Sequence, residues 1–208
     1  MSNFILGDLD TKFKVGGDDC SIYLGTEKLY PIYNKFSATF TNGSFKIPCS
    51  DNTILTSGDT HSSQYTWNNL EDFKIGECVT EIDDSAFDSM PINMSNKYSG
   101  DTLDLRNVVT FGKTIFSIRN SSNRFKVGYI LLRDAQVMKD AAFSPCQANF
   151  IIDNVTPPTW QLTWGLYPMS NDSIIYIYVP DSAVQTYKTD SNWGNFSDKI
   201  KGMSEINN

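Results

Sequence analysis

From residue 76 onward the sequence repeats itself, and this repetition limits the possible folds more than any other feature of the chain. An apolar residue precedes an aromatic residue by five positions in four places: Ile82 and Phe87, Phe111 and Phe116, Met138 and Phe143, and Leu162 and Tyr167. A short run of apolar residues follows each pair, at 102–105, 129–132, 149–152 and 174–179. One such unit cannot bury its apolar side alone, so the pattern predicts stacked units that each add one strand to a parallel ladder.

Alternation along these runs predicts which side chains point into the core. Leu105, Leu132, Ile152 and Val179 are expected to point inward, and their neighbours line the opposite face of the sheet. That face is the predicted partner-binding surface, because aromatic and Arg side chains are enriched at protein interfaces. Its predicted residues are Asp104, Arg106, Tyr129, Leu131, Arg133, Ile151, Tyr176 and Tyr178. The alternative is that loops or the N-terminal region cover this face.

Residues 1–75 have a different pattern, with short β-forming runs separated by Gly, Asn, Asp and Pro. The runs are 21–24, 36–40 and 45–47. The pair Asn42-Gly43 lies between two of them and predicts a β-hairpin. Residues 51–69 are rich in Thr, Ser, Gly, Asn and Asp, which predicts a loop or domain junction. This region is expected to form a small N-terminal β domain.

The C-terminal segment, 181–208, begins with residues suited to start a helix, since Asp181 or Ser182 can accept hydrogen bonds from free amide groups. Its aromatic residues are expected to cover the last unit. The predicted fold class is therefore mainly β: an N-terminal β domain over 1–75, a short β-solenoid of stacked units over 76–180, and a C-terminal helical cap over 181–208. An irregular β-sandwich is the alternative.

Composition narrows the possible partners. The 208 residues carry a formal net charge of −7, which disfavours nucleic acid. No run reaches the roughly 20 apolar residues that span a bilayer, so no membrane span is expected. The N-terminus has no export signal, so synthesis and assembly in a host cytoplasm are expected. The four cysteines lack a CxxC pair and are interpreted as buried free thiols rather than metal ligands.

Catalytic motifs are missing from the sequence. The single histidine, His61, lies in a Ser- and Thr-rich stretch, and no nucleotide-binding or zinc-hydrolase motif is present. The acid pairs Asp18-Asp19 and Asp83-Asp84 are adjacent in sequence, which is typical of turns rather than of a glycosidase site. We therefore expect a protein without enzymatic activity and without a cofactor.

Three segments resemble known families, and the first two imply that the predicted β-solenoid is leucine-rich-repeat-like. Residues 79–87, Val-Thr-Glu-Ile-Asp-Asp-Ser-Ala-Phe, and residues 177–188, Ile-Tyr-Val-Pro-Asp-Ser-Ala-Val-Gln-Thr-Tyr-Lys, resemble the repeat unit and closing segment of BspA-type, or Treponema-type, leucine-rich repeat proteins. Ile115 and Leu166 depart from the Ala of that unit. Residues 20–31, Cys-Ser-Ile-Tyr-Leu-Gly-Thr-Glu-Lys-Leu-Tyr-Pro, resemble N-terminal segments of structural proteins from gut Bacteroidales phages, including crAss-like phages.

These resemblances imply a virion structural protein, in a phage tail or capsid appendage, whose N-terminal region docks onto other virion proteins in an oligomeric assembly. The residues expected to dock are Cys20, Ile22, Tyr23, Leu24, Leu29 and Tyr30. The repeat region would then contact another subunit or a host surface protein or glycan. Two alternatives are a bacterial cell-surface adhesin and a glycan-cleaving tail enzyme.

Overall fold

The structure is a computed structural model that describes residues 13–14, 21–24, 27–30, 34–60, 70–87, 102–116, 125–144 and 146–206. The strands are β1 (Phe13–Lys14), β2 (Ser21–Leu24), β3 (Glu27–Tyr30), β4 (Asn34–Phe40), β5 (Gly43–Pro48), β6 (Ile54–Leu55), β7 (Leu70–Ile75), β8 (Glu81–Ile82), β9 (Thr102–Asp104), β10 (Thr110–Phe111), β11 (Phe125–Leu132), β12 (Val137–Lys139), β13 (Cys146–Ile152), β14 (Thr159–Gln161), β15 (Ile174–Val179) and β16 (Ile200–Gly202). The helices are α1 (Ser57–Thr60) and α2 (Val184–Thr189), with 3₁₀ turns at Asp181–Ala183, Trp193–Phe196 and Met203–Glu205.

Two parallel five-stranded sheets form the centre of the fold. The first sheet has the order β14-β12-β10-β8-β6, and the second has the order β16-β15-β13-β11-β9. From β8 to β15 the chain alternates between the two sheets, so each sequence unit supplies one strand to each. In the first sheet Phe111 is in register with both Ile82 and Met138, which places the first residue of each apolar–aromatic pair in one row.

The core lies between the two sheets. Ile82, Phe111 and Met138 of the first sheet are fully buried, and so are Ile130 and Phe150 of the second. Aromatic rings from the turns bridge the sheets, since the Phe143 ring centroid lies 5.2 Å from that of Phe111 and 5.6 Å from that of Phe150. Side chains of alternate residues in a strand point to opposite faces, so this burial leaves the intervening residues of the second sheet on its outer face.

The turns after β8, β10 and β12 share one backbone conformation. Ser85, Thr114 and Ala141 all have positive φ, at 56°, 46° and 53°. The Ser85 N–H donates to the Lys113 carbonyl at 2.9 Å, and the Thr114 N–H donates to the Asp140 carbonyl at 3.0 Å. Each turn is thereby hydrogen-bonded to the next. Gly112 is required where they meet, because an added Cβ would lie 2.5 Å from the Asp84 backbone nitrogen.

A three-stranded antiparallel sheet, β5-β4-β7, packs against the start of this core. The hairpin predicted at Asn42-Gly43 is confirmed, because β4 pairs with β5 and Phe40 is in register with Gly43. The Phe36 and Phe73 rings lie 5.8 and 5.5 Å from the Phe87 ring, so the antiparallel sheet shares the core of the parallel sheets.

The loop or domain junction predicted over 51–69 is wrong for 54–55 and 57–60, and residues 61–69 lie outside the described residues. Strand β6 pairs with β8, and helix α1 follows it. The buried Lys35 ammonium lies 2.9 Å from the Asp59 carboxylate in α1. Burial alone would raise the pKa of Asp59, but hydrogen bonds from Lys35 and Thr56 outweigh it and lower this pKa. The ion pair therefore joins β4 to α1.

The predicted fold class, a mainly β leucine-rich-repeat-like β-solenoid with one strand ladder and a helical cap, is wrong. The described residues have a mixed architecture of two open parallel sheets, antiparallel sheets and short helical segments, without a closed solenoid. The prediction missed strands β8, β10 and β12 because two or three residues are too few to show alternation. It also missed β16, which follows the C-terminal helical segments in the chain. This strand pairs with β15 and extends the second sheet.

The prediction of free thiols is wrong for two cysteines. Cys49 and Cys78 form a disulfide that links the residue after β5 to the segment between β7 and β8. Cys146 is free and fully buried, and burial raises the pKa of its thiol. The disulfide therefore ties the antiparallel sheet to the beginning of the parallel sheets.

Candidate functional site

The outer face of the second sheet carries a row of side chains that crosses all five strands. Strand pairing places Leu131 beside Asp104 and Ile151, Ile151 beside Tyr178, and Tyr178 beside Lys201. The residues before them in each strand are buried: Leu103, Ile130, Phe150, Ile177 and Ile200. The row has an apolar and aromatic centre with one charge at each end. We call it the face row.

Tyrosines add a broad aromatic area beside the face row. The rings of Tyr176 and Tyr178 lie 6.0 Å apart, and the Lys201 ammonium lies 4.0 Å from the centre of the Tyr176 ring. Tyr176 is 36% exposed, whereas Tyr178 is only 7% exposed. Burial, with smaller effects from Tyr129, Tyr176 and Glu205, raises the pKa of Tyr178. The Tyr176 ring therefore presents most of the aromatic surface of this pair to the outside.

Local irregularities in the strands shape this area. The register between β13 and β15 shifts between Ala148 and Phe150, and Ile175 and Tyr176 are both exposed in β15. The register between β11 and β13 also shifts, and there the Asn149 side-chain amide donates to the Gly128 carbonyl at 3.1 Å. Such bulges change the direction in which side chains point along a strand. Here they add Ile175, at 42% exposure, to the outer face.

Charged residues border the face where β9 and β11 end. Arg106 makes a bidentate contact with Asp104, with Nε 2.9 Å from Oδ1 and Nη2 2.7 Å from Oδ2. This side-chain hydrogen bond, opposed by burial, lowers the pKa of Asp104. Arg133 donates to the Asn107 side chain at 3.0 Å. A cavity of about 320 Å³ opens here and is lined by polar residues that include Glu77, Asp104, Arg106 and Arg133.

A second, more open cavity of about 670 Å³ lies where β11, β13 and β15 begin. It is lined by Lys126, Gln147, Asn171, Asp172, Ile174, Ile175 and Lys199. The Lys199 ammonium donates to the Ile174 carbonyl at 2.8 Å and to the Asn171 carbonyl. The aromatic area thus has polar cavities near both ends of the strands.

The structure brings most of the predicted partner-binding residues onto one surface. Asp104, Leu131, Ile151 and Tyr178 lie in the face row, although Tyr178 is mostly buried there. The remaining predicted residues are Tyr129 and Tyr176 on the same face, and Arg106 and Arg133 beyond the strand ends. Sequence reasoning missed Ile175 and Lys201, because neither the bulge in β15 nor strand β16 has a sequence signal.

The predicted docking residues lie elsewhere. Ile22, Tyr23 and Leu24 belong to β2, and Leu29 and Tyr30 belong to β3, in a separate sheet of order β1-β2-β3. Cys20 lies outside the described residues, as do His61 and the pair Asp18-Asp19.

The acidic pair in the first turn has a structural role. Asp84 accepts a 2.7 Å hydrogen bond from the Lys113 N–H and lies 3.8 Å from the Lys139 ammonium. Among the described residues, no group of three or more His, Cys, Asp or Glu side chains is placed to hold a metal ion.

No protein-family model matches the chain, and no curated protein matches it. Within the described part of the chain, none of the helices has the length and apolar character needed to cross a membrane.

Proposed function

We propose that this protein is a non-enzymatic interaction protein that binds a partner protein through the outer face of its second sheet. The face row is the observation on which the proposal rests. Its centre, Leu131 and Ile151, is apolar, and its ends, Asp104 and Lys201, carry opposite charges. Protein interfaces share this arrangement of an apolar and aromatic centre within a charged border.

The geometry of the tyrosines supports binding rather than catalysis. Tyr176 is half-exposed and held by Lys201 and Tyr178, so little side-chain freedom remains to be lost on binding. Tyr and Arg side chains dominate binding energy at interfaces, and both types occur on this surface. Arg106 and Arg133 are oriented by Asp104, Asp134 and Asn107, which fixes the charge pattern that a partner would meet.

The proposed setting is a phage particle, in which the N-terminal strands dock onto other virion proteins and the second sheet contacts a neighbouring subunit or a host surface. The resemblance of residues 20–31 to structural proteins of gut Bacteroidales phages supports this setting. The protein would assemble in the host cytoplasm as a tail or capsid appendage.

A bacterial cell-surface adhesin is the second candidate, and the disulfide favours it. Disulfides persist in oxidising compartments and are rare in the cytosol, so the Cys49–Cys78 bond suits a protein that is exported. The resemblance of residues 79–87 to BspA-type repeat proteins supports the same candidate.

The proposal is tested with Leu131→Asp, which puts a charge in the centre of the face row. Gln185→Asp is the matched control, because Gln185 is exposed on α2. Particles that lack the native gene product are complemented with each variant, purified, and analysed by mass spectrometry. We expect Gln185→Asp to be incorporated normally and Leu131→Asp to lose binding by about 2 kcal/mol or more, while circular dichroism shows that both variants fold.

The outcomes separate the two parts of the proposal. If purified particles do not contain the wild-type chain, the virion setting is wrong. If the chain is present and Leu131→Asp is incorporated like wild type, the role of the sheet face is wrong. Recovery of the wild-type chain on the bacterial surface, with Cys49 and Cys78 protected from alkylation, would favour the adhesin.

A further inference from the structure

Cys49 and Cys78 follow two segments that are both fixed on strand β4. Cys49 comes directly after β5, whose last residue is in register with Asn34 of β4. Cys78 comes two residues after Gly76, whose N–H donates to the Lys35 carbonyl at 2.9 Å. Gly76 permits this contact, because an added Cβ would overlap the Asn34 carbonyl oxygen. Backbone contacts with β4 therefore bring the two cysteine positions close together, whether or not the sulfur atoms are bonded.

The segments that continue from the two cysteines are also joined by hydrogen bonds. The Thr80 N–H donates to the Thr53 carbonyl at 3.1 Å, and the hydroxyl oxygens of these two residues lie 2.7 Å apart. The Asp83 N–H donates to the Leu55 carbonyl at 2.9 Å, and the Leu55 side chain is fully buried. The disulfide is thus flanked on both sides by noncovalent contacts, which a reduced chain can form as well.

The core beside these segments includes neither cysteine. The rings of Phe36, Phe73 and Phe87 lie 5.5 to 6.1 Å from one another, and all three side chains are buried. Cys49 and Cys78 are half-buried and lie outside this core. Because the burial of apolar side chains is the main force in folding, the reduced chain retains its principal source of stability.

Cys146 differs from these two cysteines in its reactivity. It is fully buried, and burial raises the pKa of its thiol, so little of the nucleophilic thiolate forms. Cys49 and Cys78 are partly exposed, which lets a small oxidant reach them. Oxidation of the folded chain is therefore expected to join Cys49 to Cys78 and to leave Cys146 free.

We propose that Cys49 and Cys78 form a redox lock that closes after folding: the reduced chain folds first, and a low-molecular-weight disulfide, such as oxidised glutathione, then joins the two thiols. One protein thiolate attacks a sulfur of the oxidant, which forms a mixed disulfide and releases one small thiol. The second protein thiolate attacks the protein sulfur of this mixed disulfide and releases the second small thiol. The protein loses two electrons and two protons, and the two released thiols carry them.

A lock of this kind separates folding from the redox state of the compartment. Cytosolic thiols keep protein cysteines reduced, and there the chain folds with an open lock. Transfer to an oxidising medium, by export or by release from a host cell, closes the lock and raises the stability of the fold. The inference does not depend on the face row or on the choice between the two proposed settings.

The test compares how strongly the folded and the unfolded chain favour the bond. Full-length wild-type protein is reduced with a phosphine, and nitrogen-15 NMR spectra show whether it keeps its fold. The protein is then equilibrated with mixtures of reduced and oxidised glutathione, in native buffer and in concentrated urea. Acid quenching, alkylation and mass spectrometry of peptides give the fraction of the Cys49–Cys78 bond, and hence the effective concentration of one thiol toward the other.

We expect the resonances of β11, β13 and β15 to be unchanged on reduction. The effective concentration should be about 100-fold higher in native buffer than in urea, which corresponds to roughly 3 kcal/mol of added stability. Gly76→Ala should lower the native value and leave the urea value unchanged, because it disturbs the contact with β4. Gly58→Ala, with no atom closer than 3.5 Å to the added Cβ, should change neither value.

Three results would overturn the proposal. The spectrum of an unfolded chain after reduction would mean that the bond must form before the fold. Equal effective concentrations in the two solvents would mean that the fold does not hold the thiols together. Oxidation that joins Cys49 or Cys78 to a different cysteine would contradict the assigned pair.

Discussion

Replacing Asp140 by asparagine removes the charge that holds the loop at residues 163–166, while keeping the size of the side chain. Hydrogen bonds from three backbone N–H groups and one hydroxyl outweigh the effect of burial and lower the pKa of this carboxyl from 3.8 to about 2. That difference corresponds to about 2 kcal/mol of folding free energy when the carboxyl is ionised. Because the folded-state pKa is the lower one, this stabilisation is fully present well above pH 4 and is lost as the pH falls toward 2.

The assay is urea denaturation of wild type and Asp140→Asn between pH 6 and pH 2.5, followed by circular dichroism. We expect the two free energies of unfolding to differ by roughly 2 kcal/mol at pH 6 and by about half of that at pH 3. Asp198→Asn is the control, because Asp198 is exposed and its loss should change stability by less than about 0.5 kcal/mol. A difference between wild type and Asp140→Asn that does not change over this pH range would refute the assignment.

Three further changes test the fold. Gly112→Ala should destabilise by about 2 kcal/mol or more in thermal denaturation, because its Cβ would overlap the backbone of the preceding turn, whereas Gly58→Ala, with no atom closer than 3.5 Å, should have little steric effect. Replacing both Cys49 and Cys78 by Ser should lower the free energy of unfolding by about 3 kcal/mol in urea titration, and an unchanged midpoint would argue against the disulfide. Trp193→Phe keeps most of the buried volume but loses the 2.9 Å indole hydrogen bond, so calorimetry should show a loss of about 1 kcal/mol.

Alternation in the sequence was sufficient to predict the outer face of the second sheet. Strands β11, β13 and β15 each have six or more residues. A strand of this length is long enough for the alternation of inward and outward residues to be recognised in the sequence. The four segments that contain Leu105, Leu132, Ile152 and Val179 follow one another across this sheet, as expected from their alternation. Four of the five residues of the face row could therefore be predicted before the fold was known, and Lys201 could not.

The remaining features depend on contacts that leave no local pattern. The strand at Glu81–Ile82 is too short to alternate, and Cys49 and Cys78 are 29 residues apart without a characteristic spacing. Tyr167 follows the same spacing as Phe143, yet one is half-exposed and the other is buried. That difference arises because the Phe143 N–H donates to the Pro168 carbonyl, as the Phe87 N–H donates to the Ile115 carbonyl before Phe116, so the buried Met169 takes the place that the spacing assigns to Tyr167.

Hydroxyl-radical footprinting of the wild-type chain tests the proposed role of the second sheet most directly. Oxidation of Tyr176 and Ile175 is measured by mass spectrometry in the free protein and in the particle or on the cell that carries it. We expect both side chains to become protected in the assembled state, while exposed Gln185 peptides on α2 keep their oxidation rate. Equal oxidation of Tyr176 and Ile175 in the two states would show that this face is not the partner-binding surface.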